Sequence, residues 1–88
     1  MFLLNLWGEI MEQKIKQDIL IGGNIRILRK KSKLTQEQVT AKMQLTGCHI
    51  SKSSYSKIEI GYCNVRVSEL KALKDIFHAE WDDFFQGI

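Results

Sequence analysis

The stretch Leu34 to Gly61, LTQEQVTAKMQLTGCHISKSSYSKIEIG, decides how this chain is organised. Thr35 stands three residues before Gln38, the spacing of a capping box, in which each side chain satisfies the other residue's backbone N–H at a helix start. Val39 and Met43 give that short helix an inward face. Gln44 to Ile50 shows no periodicity and contains Thr46-Gly47, so it reads as a turn. Ser51 is the next N-cap candidate, and Ile50 and Tyr55 flank it at the two positions of a hydrophobic staple. Tyr55 and Ile58, three apart, face inward. Lys52, Ser53, Ser56 and Lys57 are left on the outer face, and Gly61 offers the left-handed conformation that closes a helix.

The same periodicity extends outward from this pair of helices. Upstream, Ile21, Ile25 and Leu28 stand at i, i+4, i+7, with Arg26, Arg29, Lys30 and Lys31 mostly off that stripe, and Ser32-Lys33 ends the run. Downstream, Tyr62 to Val67 reads as a linker and Ser68 as the cap of a fourth helix, with Leu70, Leu73, Ile76 and Phe77 on one stripe. Trp81, Phe84 and Phe85 repeat the i, i+3, i+4 pattern in a last short helix; they are expected in the core, with some of that surface and Ile88 left for a dimer partner. With 88 residues, 44% hydrophobic and 26% charged, six Gly and no Pro, there is room for one compact unit. The expected fold is all-α, a compact bundle of about five short helices over residues 21–86, preceded by an extension at 1–20.

The net charge of +3 divides unevenly. Residues 1–20 carry −1 and residues 68–88 carry −3. Between them, nine basic side chains (Arg26, Arg29, Lys30, Lys31, Lys33, Lys42, Lys52, Lys57, Arg66) face only Glu37 and Glu59, so residues 21–67 carry +7. A basic body with acidic ends points to a polyanionic partner.

Other classes lack their residues. No uncharged stretch approaches the roughly 18 residues of a membrane span. The apolar opening Met1–Trp7 has neither the basic lead nor the cleavage site of a secretory signal, so a cytoplasmic location is expected. Cys48, His49, Cys63 and His78 are metal-type side chains without CxxC or HxxxH spacing, and no metal or cofactor is expected. Two small buried thiols are the expectation, with a redox switch through Cys48 and Cys63 as the alternative. For catalysis the two histidines lie in different segments, no carboxylate pair has a suitable setting, and Gly22-Gly23 is no phosphate loop, so no catalytic residue is assigned.

The ordered set Ile25-Arg26-x-x-Arg29, Leu34-Thr35-Gln36-Glu37-x-Val39, Ile50-Ser51-x-Ser53-x-Tyr55-Ser56-Lys57-Ile58-Glu59-x-Gly61 and Leu70-x-x-Leu73 resembles the Cro/repressor-type (XRE family) helix-turn-helix domain over about residues 21–85. The resemblance implies a lambda-repressor-like bundle whose second and third helices bind double-stranded DNA, the third in the major groove. It implies base contacts from Lys52, Ser53, Ser56 and Lys57. Gln36 matches the glutamine that holds a phosphate at the helix amino end. Arg29 and Glu59 match a bracing ion pair, with part of the guanidinium left for phosphate, and Lys30, Lys33 and Arg66 are further phosphate candidates. The spacing from Gln36 to Glu59 exceeds the usual one by about five residues, as in a longer-turn variant, so the turn is enlarged by Leu45 to His49. Thr40 stands where a small Ala is usual, Gln44 where a turn Gly is usual, and Val65 where a Pro is frequent. The implied function is a sequence-specific transcriptional regulator, a repressor of bacterial or phage type located at the nucleoid and dimeric at least on DNA. The alternatives are the antitoxin of a toxin–antitoxin pair or an interaction adaptor without DNA binding, and a toxin or an antirepressor is the candidate protein partner.

Residues 1–10 pose a separate question. Trp7-Gly8-Glu9 must be encoded TGG-GGN-GAR, a purine-rich run that resembles a ribosome-binding site just before the Met11 codon. Met11 is therefore the expected start, opening a helical lead-in with Ile15 and Ile19. The alternative is an apolar arm used in oligomerisation.

Overall fold

The computed structural model describes residues 14–15 and 21–87. Four α-helices follow one another: α1 Gly22–Lys31, α2 Gln36–Leu45, α3 Lys52–Glu59 and α4 Val67–Phe77. A 3-10 helix, Trp81–Phe85, closes the bundle, so the fifth helix of the expected all-α fold is present in a tighter form. A two-residue antiparallel ladder joins β1 (Lys14–Ile15) to β2 (Val65–Arg66), with Lys14 opposite Arg66 and Ile15 opposite Val65. That ladder overturns the helical lead-in at Ile15, which is extended, a conformation suited to β-branched residues such as Ile and Val. The start at Met11, the apolar residues 1–10, Ile19 and Ile88 lie outside the described residues.

Short-range chemistry sets the helix boundaries. At α2 the capping box is complete: the Gln38 N–H donates to Thr35 Oγ1 at 3.1 Å and the Thr35 N–H to Gln38 Oε1 at 2.8 Å. At α3 the Ser54 N–H donates to Ser51 Oγ at 3.0 Å. The closures share one pattern, a backbone N–H reaching back five residues and its predecessor reaching back three, around a left-handed residue. Around Gly47, Cys48 N–H donates to Met43 O and Gly47 N–H to Gln44 O. Around Gly61, Tyr62 N–H donates to Lys57 O and Gly61 N–H to Ile58 O. Lys33 (φ 58°) and His78 (φ 52°) take the same place after α1 and α4, although neither is glycine.

Two boundaries differ from expectation. Gln44 and Leu45 are helical, because the left-handed residue that stops α2 is Gly47, and the turn is correspondingly shorter. Ser68 is not the cap of α4. The helix begins at Val67, and Glu69 accepts the Arg66 backbone N–H at 2.8 Å, so Arg66 holds the cap position directly after the ladder.

The core is continuous. Ile25, Val39, Met43, Tyr55, Ile58, Val65, Leu73 and Phe84 are all but inaccessible, with Ile21, Leu70 and Phe77 around them and Leu28 and Ile76 partly covered. Of the three terminal aromatics only Phe84 is core; Trp81 and Phe85 are 43% and 45% exposed. A 3-10 helix turns once every three residues, so Phe85 is carried about a third of a turn away from Phe84. Trp81 packs on Phe84 with ring centroids 6.2 Å apart and lies under the Lys74 ammonium at 5.6 Å.

Candidate nucleic-acid interface

Tyr55, Ile58 and Glu59 give α3 its buried face. The opposite face carries Lys52, Ser53 and Lys57, all exposed, while Ser56 sits half-buried at the edge. Ser51 fixes where this helix starts and Gly61 where it stops, so the outer side chains project from a defined cylinder of eight residues.

Glu59 is the hub that sets the orientation of α3. Its carboxylate is 2% exposed and receives Arg29 Nε at 2.7 Å and Arg29 Nη2 at 3.2 Å. Gln36 Nε2 donates to the same carboxylate at 3.1 Å. One side chain thus ties α1, α2 and α3 together. The third nitrogen of Arg29, Nη1, donates to the Leu34 carbonyl at 3.0 Å. Burial alone raises a carboxyl pKa, but here the hydrogen bonds from Arg29 and Gln36, the nearby Tyr55 hydroxyl and the Arg29 charge outweigh it, and Glu59 titrates below its ordinary value. The hydrogen bond to Glu59 holds the Arg29 guanidinium correspondingly up. The Tyr55 hydroxyl is buried beside this pair without a hydrogen bond of good geometry. Its burial, with the Glu59 charge, pushes the phenol far above its ordinary value.

Gln36 is the first residue of α2, and one of its amide hydrogens is committed to Glu59. Because a carboxylate only accepts, it draws the amide nitrogen inward and fixes the orientation of the side chain. Lys52 is paired across the turn with Glu37, Nζ to Oε1 at 3.3 Å. Lys30, Lys33 and Arg66 are exposed. Arg29 is only 12% exposed with every guanidinium nitrogen donating, a geometry that favours bracing over phosphate contact. The structure therefore brings Arg29, Gln36 and Glu59 into one cluster and joins Lys52 to α2 through Glu37.

The enlarged turn is built rather than loose. Thr46 Oγ1 donates to the Met43 carbonyl at 2.7 Å, and Cys48 and Ile50 pack against the core, leaving His49 exposed between them. Thr40, in place of the usual Ala, directs its hydroxyl to the Glu37 carbonyl at 3.0 Å. Neither Cys48 nor Cys63 is in a disulfide, and among the described residues no group of His, Cys, Asp or Glu has a metal-binding arrangement. No described helix is long and apolar enough to cross a membrane.

Two supporting residues escaped the reading of the sequence. A Cβ at Gly22 would collide with the Ile58 carbonyl oxygen and stand 2.7 Å from that of Glu59, so only glycine lets the amino end of α1 abut the carbonyl end of α3. Gly23, beside it, has nothing within 4 Å. The Gly-Gly pair was a visible signal, without a means of telling its members apart. Asn24 Nδ2 donates to the carbonyls of Phe84 and Gln86 at 2.9 and 3.0 Å, pinning the closing segment to α1 across 60 residues of chain.

No curated protein and no solved structure matches the chain. A helix-turn-helix family model matches residues 25–84, which takes in all of α2, the turn and α3 together with most of α1 and all of α4. The capped helix pair, the basic outer face of α3 and this match lead to one assignment: the chain belongs to the Cro/repressor-type (XRE) helix-turn-helix family and is a DNA-binding transcription regulator of that type.

Proposed function

We propose that the protein is a sequence-specific repressor that reads the major groove of double-stranded DNA with α3. The observation that carries this reading is the two-sided character of α3: Tyr55 and Ile58 wholly buried, and Lys52, Ser53 and Lys57 exposed on the far side of a helix clamped by Arg29 and Glu59. A helix fixed in this way can present three or four side chains to base edges without paying to order itself at each encounter. Lys52 and Lys57 donate to guanine O6 and N7, and Ser53 and Ser56 add less selective contacts. Gln36 at the amino end of α2 holds a phosphate, and Lys30, Lys33 and Arg66 supply further backbone contacts that set register and affinity.

On DNA the protein acts as a homodimer over two half-sites about one helical turn apart. The dimer surface is the end that carries Trp81 and Phe85, two half-exposed aromatics beside the acidic residues Asp82 and Asp83, which are disfavoured near phosphate. Repression follows from occupying DNA that polymerase needs.

The test is a titration of a fragment from the protein's own promoter, and of random duplex, at two salt concentrations. A steep loss of affinity with salt and a preference for the promoter that shrinks in Lys52→Ala are the expected results. Equal binding to both duplexes by the wild type would overturn the reading.

A further inference from the structure

Lys52 occupies an unfavourable place for a cation. It is the first residue of α3, where the helix dipole is positive, and the first turn of α3 contains no acidic residue. The compensating charge comes from the neighbouring helix: Glu37 Oε1 lies 3.3 Å from Lys52 Nζ. Both side chains are well exposed, 75% for Glu37 and 57% for Lys52, so the pair adds little to the stability of the fold.

Glu37 directly follows Gln36 in the first turn of α2, the end assigned above to the DNA backbone. A carboxylate there is repelled by phosphate, yet this one is turned toward the base-reading side chain of α3. The chemistry of base edges gives that placement a use. A lysine alone discriminates poorly, because guanine O6 and N7, thymine O4 and adenine N7 all accept its hydrogen bonds. A carboxylate accepts only, so it requires a base donor, cytosine N4–H or adenine N6–H. On the major-groove edge of one base pair an acceptor and a donor lie side by side at hydrogen-bonding distance, guanine O6 beside cytosine N4–H in G·C and thymine O4 beside adenine N6–H in T·A, with the order reversed in C·G and A·T. Lys52 and Glu37 present the complementary donor and acceptor, also at about hydrogen-bonding distance.

We infer that Glu37 and Lys52 form one reading unit, the ammonium donating to guanine O6 or thymine O4 and the carboxylate accepting from the N4–H or N6–H of the paired base, so that Glu37 is a specificity-determining residue that fixes which strand carries the acceptor, selecting G·C or T·A over C·G or A·T at one position of each half-site. This rests on the reading of α3 as the major-groove helix. The intramolecular ion pair keeps both groups side by side in the free protein and is exchanged for base contacts on binding. On random DNA, where the carboxylate meets acceptors and phosphates, Glu37 lowers affinity.

The test is selection from a randomised duplex pool with the wild type, Glu37→Ala and Lys52→Ala, followed by titration of the selected site and of versions with each base pair replaced. Both side chains are exposed, so thermal melting should show all three proteins folded alike. The wild type is expected to prefer G·C and T·A over C·G and A·T at one position by about tenfold or more. Glu37→Ala should bring that preference below about threefold, leave the other positions unchanged, and bind random duplex at least as tightly as the wild type. If Lys52→Ala loses the preference while Glu37→Ala keeps it, Glu37 is only a surface partner of Lys52 and the inference is overturned while α3 remains the reading helix. If neither variant changes any position, neither residue reads a base and the inference is overturned, while a pool from which no site is enriched would instead fail the reading of α3. A wild-type preference at the position governed by Lys52 that ignores strand order, G·C together with C·G or A·T together with T·A, would also overturn the inference.

Discussion

Gly22 and Gly23 are adjacent in sequence and in the first turn of α1, yet alanine at the two positions is predicted to have opposite effects. At Gly23 the added methyl enters open space, so the variant gains what alanine gains over glycine in a helix, about 0.5–1 kcal/mol. At Gly22 the methyl overlaps the Ile58 carbonyl oxygen and stands 2.7 Å from the Glu59 carbonyl oxygen, against the 3.4 Å where ordinary contact begins. The end of α3 must therefore retreat from α1 by at least about 0.7 Å, and the obstacle is backbone, which cannot rotate away. Overpacking of this kind costs about 1–3 kcal/mol, more than the helix-propensity gain. The same retreat strains the Arg29–Glu59 pair, since Glu59 is the residue pushed. In thermal denaturation, where 1 kcal/mol shifts the Tm of a domain this size by about 4–8 °C, Gly23→Ala should melt several degrees above the wild type and Gly22→Ala well below it. Gly22→Ala should also lose DNA affinity at temperatures where it remains folded. Two variants that melt together would refute the close approach of α1 and α3 and with it the claim that this contact positions the reading helix.

Three further outcomes follow from the same geometry. Glu59 titrates below its ordinary value of 4.5, so the stability it contributes is complete above about pH 4.5 and is lost as the pH falls through the lower, folded-state value. The Tm of the wild type should therefore fall on acidification below that pH, and Glu59→Gln, already destabilised at neutral pH, should show a shallower fall between pH 4.5 and 3. Lys33 holds a left-handed backbone (φ 58°) that glycine adopts freely, so Lys33→Gly should be more stable by about 0.5–1 kcal/mol in urea denaturation while binding all duplexes more weakly. If Lys30, Lys33 and Arg66 are the charged phosphate contacts, the slope of log affinity against log salt should be roughly −3 per protomer, and each alanine substitution should make it shallower by about 1.

What was legible in the sequence was the chemistry that acts over three to five residues. Thr35 with Gln38, Ser51 before its buried Tyr55, and Gly61 after Glu59 each announce a helix end through a side chain or a backbone freedom that operates locally. Misread boundaries arose where a second local device competed. Ser68 is a good cap residue, but the Val65–Arg66 ladder and the Glu69 carboxylate start the helix earlier. Gln44 and Leu45 look like turn because they lack an inward residue, whereas the stop is set three residues after Gln44, at Gly47. Trp81, Phe84 and Phe85 fit one face only at 3.6 residues per turn, and the chain winds more tightly there.

The candidate site divides in the same way. The outer residues of α3 follow from helix phase once Ser51 is its cap. The partners of those residues do not, because Gln36 with Glu59, Lys52 with Glu37 and Asn24 with Phe84 are joined across 23, 15 and 60 positions by tertiary packing. Periodicity shows that Gly22 begins a helix but carries no information about what that helix end abuts.

The central claim, that α3 reads bases from the major groove, is tested most directly by methylation interference on a duplex the protein selects. Dimethyl sulfate modifies guanine N7 in the major groove and adenine N3 in the minor groove. Guanine N7 methylation within each half-site should exclude fragments from the bound fraction, and Lys52→Ala should abolish that exclusion at one guanine. Interference confined to adenine N3, or none at any guanine, would contradict the account.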